Sequence, residues 1–183
     1  MNDNQALQQA VTALRDGGVV LHATEGVWGF ACDPFKDAAV QKVLDLKQRP
    51  KEKGLLVIAA DAGVFNQELA AQTNALAERA RKSWPGAHTW VLPNHRFSDY
   101  VTGEHHSIAC RVPGHAQARS LCALFGGPLV STSANLAGEP AIVSEGDAAA
   151  QFGDKVDYLL SGVVNNPGAA SRIYDLAGES LRI

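Results

Sequence analysis

At 183 residues with 46% hydrophobic content, the chain is long enough for one globular domain, spanning 1–183, that buries roughly 70% of its unfolded surface. Its formal net charge of −3 argues against a dedicated nucleic-acid coat, and no apolar run approaches the ~20 residues of a membrane span. Cys32, Cys110 and Cys122 are too few and too scattered for a disulfide framework or a Cys-x-x-Cys pair. With an N-terminus (Met1–Gln5) that lacks the regions of a secretory signal, they lead us to expect buried thiols and a cytoplasmic protein without a membrane segment.

In chain order, Ala6, Leu7, Ala10, Val11 and Leu14 recur at helical spacing, and Gly17-Gly18 supplies a C-cap. Val19–Ala23 reads as a buried strand leading into a turn at Thr24-Glu25. Asp37 is expected to cap a helix running to about Leu46, with Val40, Val43 and Leu44 on its buried side. Leu55–Ala59 is the clearest strand, and Thr73–Ser83 reads as a helix ending before Trp84-Pro85-Gly86. Strands are expected at Thr89–Leu92, Ile108–Val112 and Leu129–Ser131, with a helix over Gln117–Phe125 between the last two. A helix closing at Ala148–Phe152 and short strands at Val156–Leu160 and Ser171–Tyr174 complete the pattern. Strands alternating with helices indicate an α/β layered domain, with no internal repeat or linker.

Two segments carry the chemistry. Leu129-Val130-Ser131-Thr132-Ser133-Ala134-Asn135 runs an apolar strand into hydroxyls and a carboxamide before Gly138 and Pro140 break the chain. Such groups donate and accept hydrogen bonds and suit an oxygen-rich ligand beyond a strand end, although Ser/Thr/Asn-rich turns also serve simply to reverse chains. Leu46-Lys47-Gln48-Arg49-Pro50-Lys51-Glu52-Lys53 closes a helix and gathers four cations. A local cationic spot on a mildly acidic chain suits a small polyanion better than a long one, while cations in a last helical turn are also favoured by the helix dipole alone. There is no Gly-x-x-x-x-Gly-Lys-Ser/Thr loop and no Gly-x-Gly-x-x-Gly, so spacing alone does not indicate ATP. The six histidines show no ligand spacing, and no protein-bound metal is expected.

Lys47-x-Arg49-Pro50 and Ser131-Thr132-Ser133-Ala134-Asn135 together resemble the YrdC-like family of threonylcarbamoyl-adenylate synthases. Further segments match in order. His22-Ala23-Thr24-Glu25-Gly26-Val27-Trp28-Gly29 is similar to the family's Pro-Thr-Glu-x-x-Tyr-Gly turn, Ala109-Cys110-Arg111-Val112-Pro113 to its Val-Arg-Val-Pro strand, and Ser171-Arg172-Ile173-Tyr174-Asp175 to its Pro-Ser-Thr-Ile-x-Asp strand. Ala23 stands where the family has Pro, and Trp28 where it has Tyr.

The resemblance implies a twisted mixed sheet flanked by helices with a large concave cavity. It also implies condensation of L-threonine, bicarbonate and ATP into threonylcarbamoyl-AMP and pyrophosphate, for t6A modification of adenosine 37 in tRNAs reading codons that begin with A. By the same resemblance Lys47, Arg49, Ser133 and Asn135 are the catalytic set. These four bind ATP, joined by Lys53, which is equally a solvated charge, and by Arg172. Thr24, Arg111, Ser131 and Ser171 would hold threonine, with Arg111 the natural fork for its carboxylate. Glu25 is either a base for the threonine amine or a fixture of the turn. Mg²⁺ would arrive with ATP, and the product would pass to a tRNA threonylcarbamoyl-transferase complex. Longer relatives carry a C-terminal domain with no counterpart expected here, so closure of the cavity would fall to loops or a partner. The rival reading is a non-catalytic tRNA- or rRNA-binding module of the same fold, whose binding would collapse with salt; weak tRNA binding is compatible with either.

Overall fold

The computed structural model describes residues 3–168, 171–175, 177 and 179–182; Met1, Asn2 and Ile183, at the two ends of the expected domain, lie outside them. Helix α1 (Asp3–Arg15) leads to strands β1 (Val20–Ala23) and β2 (Trp28–Cys32), then helix α2 (Asp37–Lys47) and strand β3 (Leu56–Ile58). Two short helices, α3 (Asn66–Ala70) and α4 (Asn74–Ser83), precede β4 (His88–Pro93), and a single turn, α5 (Asp99–Thr102), precedes β5 (Ser107–Arg111). Helix α6 (Ala116–Phe125), strand β6 (Leu129–Ser133), helix α7 (Glu145–Phe152) and strands β7 (Tyr158–Leu160), β8 (Arg172–Tyr174) and β9 (Ser180–Arg182) complete the chain.

Among the described residues, nine strands join one mixed sheet in the order β7-β1-β2-β6-β3-β5-β4-β8-β9. Paired residues share a face, so register assigns every side chain. His22, Gly29 and Ser133 form one row, and Val20, Ala31, Ser131, Leu56 and Ala109 the next row on the same face. Helices α1 and α6 cover part of that face, packing Ala10, Val11, Leu14, Ala118 and Leu121 against Val20, Ala31, Ile58 and Leu129. The opposite face, which includes Leu21, Phe30, Val57, Val130, Trp90 and Cys110, is buried under α2, α4 and α7. There Phe30 meets Phe152 edge-on with ring centroids 4.9 Å apart. Trp28 is fully buried in this second core, and Trp84 and Trp90 belong to it as well.

Most expected elements are present, and their ends have identifiable causes. Gly17 at φ 84° lets the N–H of Gly18 reach the Ala13 carbonyl at 2.8 Å, closing α1 as the Gly-Gly pair implied. Thr73 caps α4 through Leu76 N–H at 3.4 Å. Asp37, however, does not cap α2. It is the first helical residue, the capping position is Lys36, and the Asp37 carboxylate accepts from Ser98 Oγ at 2.6 Å instead. Strands β2 and β9 and helices α3 and α5 have no counterpart among the expected elements. The three cysteines are free and buried; burial pushes their thiols up, Cys122 to about 12, which makes them poor nucleophiles. Among the described residues no helix is long and apolar enough to cross a membrane.

Candidate active site

Helix α2 ends in a way that aims two cations at one place. Gln48 adopts the left-handed conformation at φ 48°, its N–H reaching Asp45 O at 3.0 Å while Arg49 N–H reaches Leu44 O at 3.0 Å. This paired closure turns the chain sharply after Lys47 and carries Arg49 out of the helix. Lys47 is only 3% exposed. Its ammonium donates to the Ser133 carbonyl, to Asn135 O at 3.0 Å and to Asn135 Oδ1 at 3.0 Å. Ser133 Oγ in turn donates to Asn135 Oδ1 at 2.6 Å, and Asn135 Nδ2 donates to Glu139 O at 2.5 Å. The Lys47 carbonyl accepts from Ala137 N–H at 2.8 Å, so helix end and Ser-x-Asn loop hold each other reciprocally.

Burial lowers the Lys47 pKa to about 8, with the positive Arg49 adding to the effect. A desolvated ammonium gains strongly from a neighbouring polyanion, which offsets the cost of burying its charge. Arg49 is fixed differently: Nε and Nη2 both donate to Gly54 O, at 3.1 and 2.9 Å. Gly54 sits at φ 59°, and a Cβ there would stand 2.6 Å from Thr102 O, so only glycine presents this carbonyl. Burial also lowers the pKa of Arg49 from its ordinary value. Lys51 faces away, paired with Asp99 at 2.9 Å and lying over the Tyr100 ring. Lys53 is exposed.

The loop from Ser133 lies beside the β1–β2 turn, since Ala134 N–H donates to Trp28 O at 2.7 Å. That turn is closed by Thr24, whose hydroxyl donates to Val27 O at 2.7 Å. Thr24 therefore keeps only oxygen lone pairs for a ligand. Glu25 projects across to the end of β5, where its Oε1 meets Arg111 Nη2 at 2.6 Å and accepts from Gly114 N–H. Arg111 Nε donates to Gly86 O at 3.0 Å, fixing the guanidinium at a second point. Ser131 is buried on the same face as His22 and Ser133. Ser171 is buried against Thr89, the two hydroxyls 2.9 Å apart. Arg172 alternates to the other face: it pairs with His88, two positions from the Trp90–Tyr174 pair in the second core.

The structure thus brings Lys47, Ser133 and Asn135 into direct contact and ties Arg49 to the same reversal. It places Thr24 and Arg111 around Glu25, Ser131 on the shared face, and leaves Lys53 and Arg172 outside these contacts. A groove of about 580 Å³ runs along α1 past Gln5, Thr12, Lys42 and Asp157 and contains none of these residues. Chemistry rather than concavity therefore locates the site. Among the described residues no group of three or more His, Cys, Asp or Glu could hold a metal ion.

The Sua5_yciO_yrdC family model, described as "Telomere recombination", matches residues 12–183. The chain belongs to this family. Within it, a threonylcarbamoyl-AMP synthase of Chromohalobacter salexigens is 46% identical over 178 residues, covering 96% of each chain. That of Stenotrophomonas maltophilia is 44% identical over 180 residues, covering 96% of this chain and 97% of its own. Among solved structures, P. abyssi Sua5 complexed with L-threonine matches with a TM-score of 0.87 at 28% identity over 97% of this chain. The present chain spans 52% of that longer Sua5 chain. The Sua5/YciO/YrdC fold accounts for the mixed sheet and its flanking helices.

Glu25 is the site residue whose engagement sequence left open. Its partners lie 86 and 89 positions away, at Arg111 and Gly114, and nothing local signals such contacts.

Proposed function

We infer that the protein is an L-threonylcarbamoyladenylate synthase, a nucleotidyltransferase that uses L-threonine and ATP. The observation that carries this reading is the 46% identity to a threonylcarbamoyl-AMP synthase across 96% of both chains. The Lys47–Ser133–Asn135 network supports it independently, as a rigid cationic site at a strand end. The comparisons support the synthase and lend nothing to the RNA-binding module weighed against it.

In the proposed reaction, bicarbonate and the threonine amine combine to a carbamate with loss of water. A carbamate oxygen then attacks the α-phosphorus of ATP, forming one P–O bond while the bond to pyrophosphate breaks. Two anions must meet, so the protein's task is positioning and charge neutralisation. Lys47 acts as a buried point charge and Arg49 as a planar fork with its Nη1 edge free of the Gly54 contact. Phosphate oxygens compete for protons that Lys47 and Ser133 otherwise donate within the loop. Lys53 and Arg172 are weaker contributors to ATP binding. Thr24, Arg111, Ser131 and Ser171 form the threonine side. Mg²⁺ would enter with ATP and be held by phosphate and water, with Ser133 and Asn135 supplying neutral oxygens to that water. The product would pass, in the cytoplasm, to a transferase complex that modifies tRNA.

Arg49→Lys is expected to raise the KM for ATP about tenfold with little change in fold. A lysine lacks the planar fork whose Nε and Nη2 hold Gly54 O while Nη1 is left for a phosphate. Steady-state pyrophosphate release at varied ATP reads this, and an unchanged KM removes Arg49 from the nucleotide site. Mass spectrometry of reactions with ¹³C-bicarbonate tests the function itself: threonylcarbamoyl-AMP carrying the label is expected, and its absence refutes the assignment.

A further inference from the structure

Helix α5 is a single turn, yet it is tied both to the start of α2 and to the turn that follows its end. At the start, Ser98 Oγ donates to Asp37 Oδ1 at 2.6 Å, taking up the carboxylate that leaves α2 without a side-chain cap. Beyond the end of α2, the Lys51–Lys53 turn lies against α5 and against Gly103, the residue that closes α5. Lys51 pairs with Asp99 at 2.9 Å, Leu55 N–H donates to Val101 O at 2.7 Å, and Glu104 N–H donates to Glu52 O at 3.3 Å.

Two glycines make this approach possible, and each faces the backbone of the other segment. Gly54 stands at φ 59° and Gly103 at φ 63°, where side chains are disfavoured. A Cβ on Gly54 would lie 2.6 Å from Thr102 O. One on Gly103 would overlap Glu52 O and lie 2.7 Å from both the Glu52 carbonyl carbon and the Gly54 nitrogen. These neighbours are main-chain atoms and cannot swing aside, so a side chain at either position forces the two segments apart. The docking fixes the carbonyl of Gly54, which accepts from Arg49 Nε and Nη2 at 3.1 and 2.9 Å. Arg49 Nη2 also donates to Lys53 O at 3.4 Å, so its guanidinium is held by the docked turn.

We propose that Gly103, with the α5 turn it closes, is a positioning residue for Arg49: it seats the Lys51–Gly54 turn, and the seated Gly54 carbonyl aims the guanidinium at the triphosphate. The inference rests on the synthase reading, in which Arg49 binds ATP. A planar fork held along its Nε–Nη2 edge turns as a whole when its acceptor moves. A fork aligned beforehand also loses less freedom when phosphate binds. Gly103 acts through Gly54 O, so its effect falls on ATP. It spares the threonine side, where Arg111 is held by Glu25 and Gly86.

The test measures Gly103→Ala and Gly126→Ala, each alone and combined with Arg49→Lys. Pyrophosphate release is followed at varied ATP and threonine, and binding of a non-hydrolysable ATP analogue by calorimetry. Gly126 also has a positive φ, 90°, but a Cβ there meets nothing within 4 Å, so its variant carries backbone strain without a clash. Melting temperatures report folding. Gly103→Ala is expected to raise the KM for ATP about 5- to 20-fold, with parallel weakening of analogue binding and a threonine KM within about twofold of wild type. In the Arg49→Lys background the same change should add less than about twofold, because the fork it aims is gone. Gly126→Ala should leave both KM values unchanged. A folded Gly103→Ala with an unchanged ATP KM overturns the proposal. So does an equal rise in both KM values, or full additivity with Arg49→Lys, each the mark of a general structural role. Should Gly103→Ala not fold, Asp99→Asn loosens the same seat through Lys51 and keeps the glycine. A rise in ATP KM of about two- to threefold that vanishes in Arg49→Lys then supports positioning, and no rise refutes it. Wild type that binds the analogue but releases no pyrophosphate refutes the synthase reading, while analogue binding by the variants still decides the role of Gly103. Wild type that does not bind the analogue overturns both.

Discussion

Lys47→Met lowers pyrophosphate release by roughly 10²–10³-fold, the usual loss for one preorganised charged donor at a reacting centre. The size follows from where the ammonium sits. It is 3% exposed at the end of α2, and burial holds its pKa down to about 8. In that setting its charge is poorly screened and acts on a triphosphate more strongly than a surface lysine does. The methionine keeps the apolar stem, but Asn135 O, Asn135 Oδ1 and the Ser133 carbonyl each lose a donor. A stability loss of about 1–3 kcal/mol should accompany the rate effect. Ser133→Ala separates the two, because it spares the backbone contacts of Lys47 and should impair rate with little change in melting temperature. Near-normal turnover by both variants would remove this network from the chemistry.

His22 governs the second large effect, on stability. Its imidazole is fully buried next to Gly29 and Leu160, with neither ring nitrogen well aligned to a partner among the described residues. Burial, reinforced by nearby His115, lowers its pKa from 6.5 to about 4, against smaller opposing effects of the Ala23 backbone and Glu25. Above pH 6.5 folded and unfolded chains both hold it neutral, so it adds no pH dependence there. As pH falls from 6.5 towards 4 the unfolded chain takes up a proton that the folded chain refuses, and stability drops. The full difference is about 3 kcal/mol. Urea unfolding at pH 7, 5.5 and 4 should therefore show wild type losing about 3 kcal/mol more than His22→Phe. Parallel losses would mean that His22 is protonated within the fold.

Much of this was legible in sequence, for physical reasons that differ by element. Leu55–Ala59 is a continuous apolar run and Val19–Ala23 is one interrupted only by His22, as a short strand buried on both faces requires, and Gly17-Gly18 marks a helix end because only glycine enters that turn cheaply. Strand β2 escaped because Trp28-Gly29-Phe30-Ala31-Cys32 is buried at every position, so no alternation marks it, and Gly29 and Ala31 have low strand preference. Helix α5 is a single turn, below the length at which periodicity can register. Within the site, Lys47, Ser133 and Asn135 were named together from motif alone, and their contacts now have distances. The state of the hydroxyls was not legible: Thr24 Oγ1 donates within its own turn, a choice made by turn geometry. The face of Arg172 depends on how β8 pairs with β4, across more than 80 residues of sequence. Gln48 in the left-handed region carries no glycine or asparagine signal, yet it is what separates Lys47 from Arg49.

Synthase activity is read most directly from pyrophosphate release from Mg·ATP with threonine and bicarbonate omitted in turn and serine as a control. Release is expected to require both co-substrates and to prefer threonine over serine. Release that is indifferent to threonine, or no release under any combination, would contradict it.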